Sequence, residues 1–251
     1  KDRNFGTALV FIFIVGIILL GSIALLPPML QGLMGYPTVT TGFVLAPRGA
    51  GVMVSMLVVG RVVRRVDARL LILTGLILTS ASLWSMTGFT IVMGQRPVIF
   101  SGIVQGLGLG LVFVPLSTLA FATLAPRWRT DATALFSLVR NLGSSIGISA
   151  IVAVLGHNTQ ASHQALAAHV TPFNPLLGDR LAGGVAALAR LNAEITQQAL
   201  MIAYVDDFKL MMYVALAAIP LLMVLRRPSA GGAAAPPERR QRISEPPGGL
   251  V

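Results

Sequence analysis

The chain has 251 residues, 55% of them hydrophobic and only 11% charged, with a mean hydropathy of +0.79, a composition that excludes an ordinary soluble domain and requires an integral membrane protein. A net charge of +10 and a pI near 11.5 would suit nucleic acid if the basic residues lined one soluble face, but they sit in short loops between apolar runs, which argues for no nucleic-acid partner. Cysteine is absent, so disulfides, thiolate metal sites and thiol redox chemistry are excluded too.

The chain opens Lys1-Asp2-Arg3-Asn4 and passes directly into an apolar run, a pattern that is neither a signal peptide nor a natural start and predicts a missing N-terminal portion. Phe5 to Leu26 is long enough to cross the hydrocarbon core. Pro27-Pro28 is expected to bend or end its regular part, with residues 29–34 continuing outward to a Gly35-Tyr36-Pro37 turn. The spans then fall at about 5–34, 39–60, 70–88, 97–124, 132–155 and 208–225, the fourth interrupted by Pro115. Trp84 stands where an interfacial aromatic belt lies. The fold class is therefore an all-α membrane protein with six transmembrane helices.

Six spans place both termini on one side. That side collects Lys1, Arg3, Arg61, Arg64, Arg65, Arg69, Arg127, Arg129, Arg226, Arg227, Arg239, Arg240 and Arg242, against Arg96, Arg180 and Arg190 on the other. The positive-inside rule then makes both termini cytoplasmic and turns residues 156–207 outward. Within that outer segment Leu181, Val185, Leu188, Ile195 and Ile202 recur near helical spacing, predicting an amphipathic helix over 179–201 that lies on the outer surface or docks a periplasmic partner. His157, His163 and His169 lie six apart; each step rotates about 240° on a helix, so the three share no face and imply no metal site. Residues 228–251, rich in Pro, Gly, Ala and Arg, read as a disordered cytoplasmic tail.

Gly102, Gly106 and Gly110 in span four, and Gly143 and Gly147 in span five, recur every four residues and make smooth faces for helix packing. Arg48 and Arg140 each lie ~12 Å into a span at 1.5 Å per residue. An arginine at a span centre costs about 2.5–3.5 kcal/mol on insertion scales, which makes both candidates for substrate contact or charge pairing, or else bridges to neighbouring helices. Gln31, Gln105 and Asn141 complete the candidate cavity residues, with helix-to-helix hydrogen bonding as the alternative. All the acids, Asp207 included, are read as lying in loops, tails or span ends. A proton-coupling carboxylate would then have to come from other sequence.

The connection Gly60-Arg61-Val62-Val63-Arg64-Arg65-Val66-Asp67-Ala68-Arg69 resembles the C-terminal copy of the cytoplasmic loop motif of the major facilitator superfamily; Arg64 stands where the N-terminal copy carries an aspartate. Leu45-Ala46-Pro47-Arg48-Gly49, the run from Gln105 to Leu116, and Leu138-Val139-Arg140-Asn141-Leu142-Gly143-Ser144-Ser145-Ile146-Gly147 together resemble the C-terminal six spans of the fourteen-span drug:proton antiporters of the EmrB/QacA type. The resemblance implies the C-terminal bundle of a major facilitator fold in a bacterial inner membrane, lacking its N-terminal half. It further implies export of hydrophobic or amphiphilic small molecules in exchange for protons, no cofactor, no enzymatic activity, and assembly with a periplasmic adaptor and an outer-membrane channel. Spans one and four would then bring Gln31 and Gln105 to the cavity wall. The family's proton-coupling acid and antiporter motif belong to the other half and map to no residue here.

A self-sufficient six-span channel or scaffold, acting as a homodimer, is the alternative. It lacks the charged rings or filter loop a conduit needs. The membrane part of an ATP-driven exporter would need long cytoplasmic helices, whereas the internal loops are short.

Overall fold

The structure, a computed structural model, describes residues 3–63, 65–122, 124–170 and 184–223. These form helices α1 (Arg3–Pro28), α2 (Thr38–Val62), α3 (Ala68–Met86), α4 (Gln95–Ala122), α5 (Arg129–Ala167) and α6 (Gly184–Ala217), with no strand among the described residues. Five segments, Asn4–Leu33 and the whole of α2 to α5, are long and apolar enough to cross a membrane. The expected sixth span begins inside α6, and its last residues, 224 and 225, lie outside the described residues, as do the expected tail and Arg64.

The regular α-helix ends at the double proline as expected, whereas the interruption expected at Pro115 is absent. The double proline removes two hydrogen-bond donors from α1, and the helix answers by widening into a π turn, Met29–Leu33. The Tyr36 N–H then donates to the Leu30 carbonyl at 2.9 Å, and Gly35, at φ +71°, lets the chain turn away. Pro47 and Pro115 lie inside unbroken α2 and α4; packing against neighbouring helices tolerates the lost bond. The outer segment is also more helical than its hydropathy suggests. Helix α5 continues past the apolar run to Ala167, and α6 runs without interruption from Gly184 into the bundle, while 171–183, including Leu181, lies outside the described residues.

Helix α1 packs on α5, α4 and α6, whereas α4 is embraced by α2 and α3, and α6 closes against α5 and α3. Two buried apolar clusters fill the interior. One joins the C-terminal half of α1 to Leu83, Met86, Phe89 and Phe208; the other joins Phe11 and Ile12 to Ile72, Leu76 and Leu116. Serine hydroxyls add bonds between helices, with Ser55 donating to the Leu107 carbonyl at 2.8 Å and Ser82 to the Ser101 carbonyl at 2.6 Å. In lipid, where hydrocarbon offers no competing partner, these bonds and close van der Waals fit hold helices together.

Candidate functional site

The glycines set how closely the helices approach. A Cβ on Gly106 would meet the Arg48 carbonyl oxygen and, at 3.0 Å, the Val52 nitrogen; one on Gly110 would lie 2.7 Å from the Ser55 side chain, and one on Gly102 would touch the Arg48 Cβ at 3.6 Å. The α4 glycine face is thus the seat of α2. Gly143 and Gly147 of α5 receive Phe13 and Ile17 of α1 in the same way, and Gly16 of α1 faces the Arg140 carbonyl.

This close approach carries Arg48 into the bundle. Its side chain is buried, and Nη2 donates to the Ser22 hydroxyl at 2.9 Å and to the Leu19 carbonyl at 3.3 Å, both on α1. Ser22 donates in turn to the Ile18 carbonyl at 2.7 Å. Among the described residues no carboxylate lies within ion-pairing distance of Arg48. On the other side of α1, Ser144 donates to the Gly16 carbonyl at 3.3 Å and to the Arg140 carbonyl at 2.8 Å. A polar seam therefore runs along α1 between residues 16 and 22, with Arg48 on one flank and Ser144 on the other.

The remaining candidates separate. Arg140 is half-buried, Asn141 is exposed on α5, and Gln31 is exposed in the π turn after α1, where it accepts from the Thr38 hydroxyl at 3.4 Å. Gln105 is wholly buried in α4, and neither its amide oxygen nor its nitrogen has a protein partner; it belongs to the interior of this bundle rather than to its open surface. The four are not gathered into one pocket.

In the loop motif, Gly60, Arg61 and Arg65 are exposed, while Asp67 and Arg69 are half-buried. Asp67 caps α3, its Oδ1 accepting from the Arg69 N–H at 3.1 Å, and its charge complements the positive end of the helix dipole. Arg61 reaches back to the Leu57 carbonyl. Asp67→Ala is expected to cost about 1 kcal/mol, the usual worth of an N-cap; thermal unfolding of the purified protein in detergent checks it, and an unchanged midpoint would discount the cap.

Sequence reasoning missed Ser22, Ser144 and, above all, Asp207. Asp207, expected at a span end, is wholly buried within α6, with neither carboxylate oxygen hydrogen-bonded among the described residues. Its phase on α6 was the available signal, because Ala203, Tyr204 and Met211 on the same face are all buried.

Long apolar helices, charge gathered at their ends and a few polar groups held inside define a multi-pass helical membrane protein. A family model described as the Major Facilitator Superfamily matches residues 1–148. The chain belongs to that superfamily. It is similar to the probable multidrug resistance protein EmrY of Escherichia coli, 28% identical over 218 residues that make up 84% of this chain and 43% of the relative. The multidrug export protein EmrB of Haemophilus influenzae is 28% identical over 70% of this chain and 34% of its own length. The fatty acid resistance protein FarB of Neisseria gonorrhoeae is 27% identical over 80% and 41% respectively. The chain thus spans less than half the length of these curated relatives.

Proposed function

We propose that this chain is the C-terminal bundle of a proton-coupled exporter of hydrophobic or amphiphilic compounds in a bacterial inner membrane, with both ends of the segment cytoplasmic. The observation that carries the reading is the buried Arg48, hydrogen-bonded to α1 but without a carboxylate partner among the described residues, in a superfamily bundle whose relatives are named for multidrug export. An intramembrane cation is costly, and its retention inside a span points to use in transport. Transport proceeds by rocking of this bundle against an N-terminal counterpart, with substrate held near mid-membrane between them. That counterpart supplies the carboxylate that faces Arg48. The outer part of α6 and the end of α5 form the face offered to a periplasmic adaptor, which passes substrate to an outer-membrane channel.

The test is dye accumulation in a drug-hypersusceptible bacterial strain expressing the full-length protein. Cells are expected to exclude a fluorescent amphiphilic cation, and a protonophore is expected to abolish the exclusion. Exclusion that survives the protonophore but fails on ATP depletion would replace antiport with another energy source.

A further inference from the structure

Asp207 is buried on α6, the helix that packs against α5, α3 and α1. Tyr204, one turn earlier, is 4% exposed and Met211, one turn later, is 1% exposed; Met211 Sδ stands against Gly21 of α1, beside Ile151 of α5. Phe208, the next residue, packs edge-on to Phe89 with ring centroids 6.0 Å apart. These neighbouring side chains are thioether, aromatic and hydrocarbon, the Tyr204 phenol being the polar group among them. Among the described residues no donor reaches either Asp207 oxygen, and the neighbouring Asp206 has turned outward to Lys209 at 3.0 Å.

The charged and titratable groups on the packed elements are few. Helix α1 carries none after Arg3, the π turn at its end none, and α3 none after Arg69. Helix α5 offers Arg129, Asp131, the half-buried Arg140, His157 and His163, with His169 just past its end; His157 is exposed and His163 pairs with Asn192 at 3.0 Å. On α6 itself the nearest are Tyr204, Asp206 and Lys209. None of these supplies Asp207 with a hydrogen bond or an ion pair.

An ionised carboxylate so placed keeps neither water nor a counter-charge, so the packed arrangement accommodates the neutral acid. A divalent metal would need several further oxygen ligands, and an organic cation would need a void beside the oxygens. A proton needs neither. We propose that Asp207 is a proton-binding site within the bundle, protonated in the packed arrangement seen here and deprotonated when movement of α6 against α1 and α5 admits water to it. The step is the reversible ionisation of one carboxyl group, with the proton passing to that water. The inference rests on the antiport reading and adds a residue of this bundle to the proton's route.

The full-length protein, purified in lipid nanodiscs, is to be titrated by infrared difference spectroscopy. The expected result is a carbonyl-stretch band of a protonated carboxylic acid that persists at neutral pH, disappears in Asp207→Asn, shifts in Asp207→Glu and remains in Asp131→Asn, whose carboxylate is exposed. In proteoliposomes Asp207→Asn is expected to lose efflux driven uphill by a pH gradient while retaining downhill substrate exchange, and Asp207→Glu to retain both. An unchanged band in correctly folded Asp207→Asn, or a band change showing Asp207 ionised at neutral pH, overturns the assignment. Should Asp207→Asn fail to fold, an unshifted band in Asp207→Glu overturns it equally. A wild-type protein that never couples to a pH gradient would instead sink the antiport reading and the coupling role together, while the infrared band still decides whether Asp207 binds a proton.

Discussion

Gly106→Leu is expected to leave little folded protein in the membrane, whereas Gly49→Leu, only one residue beyond Arg48, is expected to leave the yield near that of the wild type. The contrast follows from what each Cβ would meet. At Gly106 it would lie on the Arg48 carbonyl oxygen and within 3.1 Å of the Arg48 carbonyl carbon; at Gly49 nothing stands within 4 Å. A flexible side chain can rotate out of the way, but a backbone carbonyl moves only with its helix, so α2 and α4 must separate. Separation withdraws Ser55 from the Leu107 carbonyl and shifts Arg48 away from Ser22. Even Gly106→Ala should cost about 1–3 kcal/mol, the usual range for overpacking a filled contact. Fluorescence-detected gel filtration of tagged full-length protein, before and after heating, reads both effects. Equal yields for the two leucine variants would mean that the α2–α4 seam is looser than described.

The features legible in the sequence are those whose cause is local. Asp67 ahead of Ala68 is a helix cap wherever it occurs, and arginines at Arg61, Arg65 and Arg69 mark the loop between spans because charge is costly in hydrocarbon. Gly102, Gly106 and Gly110 announce a smooth face through spacing alone, although which helix would occupy it was visible only in three dimensions. Helix ends were harder to read. Hydropathy falls after Leu155, yet α5 continues through Gln160, Ala161, Gln164 and Ala165 to Ala167, because a drop in apolarity ends contact with lipid and does not end hydrogen bonding along a helix. The same confusion hid Asp207: the doublet Asp206-Asp207 looks like the wet edge of a span, and only the packing of α5 and α1 decides that one carboxylate faces Lys209 while its neighbour is enclosed. Gln105, expected on a cavity wall by analogy, is wholly buried in α4, a burial that its polar side chain did not announce.

Arg48→Ala is expected to abolish efflux while leaving the protein inserted and only modestly destabilised. Removing the side chain forfeits charge-assisted hydrogen bonds to Ser22 and Leu19, worth about 1.5–3 kcal/mol for a bond to a charged group. It also relieves the cost of holding an arginine within a span, about 2.5–3.5 kcal/mol on insertion scales. With two such bonds the loss is about 3–6 kcal/mol, of which the relief offsets roughly half or more, so stability should fall only modestly, and membrane content measured in parallel keeps a loss of transport from being ascribed to unfolding. Arg48→Lys sharpens the test, since lysine keeps the charge on a slimmer head without the planar fork that spans Ser22 and Leu19. If the charge alone matters, for a carboxylate or substrate facing the bundle, lysine should restore part of the efflux. If the bridge from α2 to α1 matters, Arg48→Lys should be nearly as inactive as Arg48→Ala, and Ser22→Ala should share the defect because it removes the shorter of the two contacts. Drug-resistance assays on the full-length protein, with membrane content measured in parallel, separate these outcomes. Near-normal resistance in Arg48→Ala would remove the residue from the transport machinery and leave it a costly strut between helices.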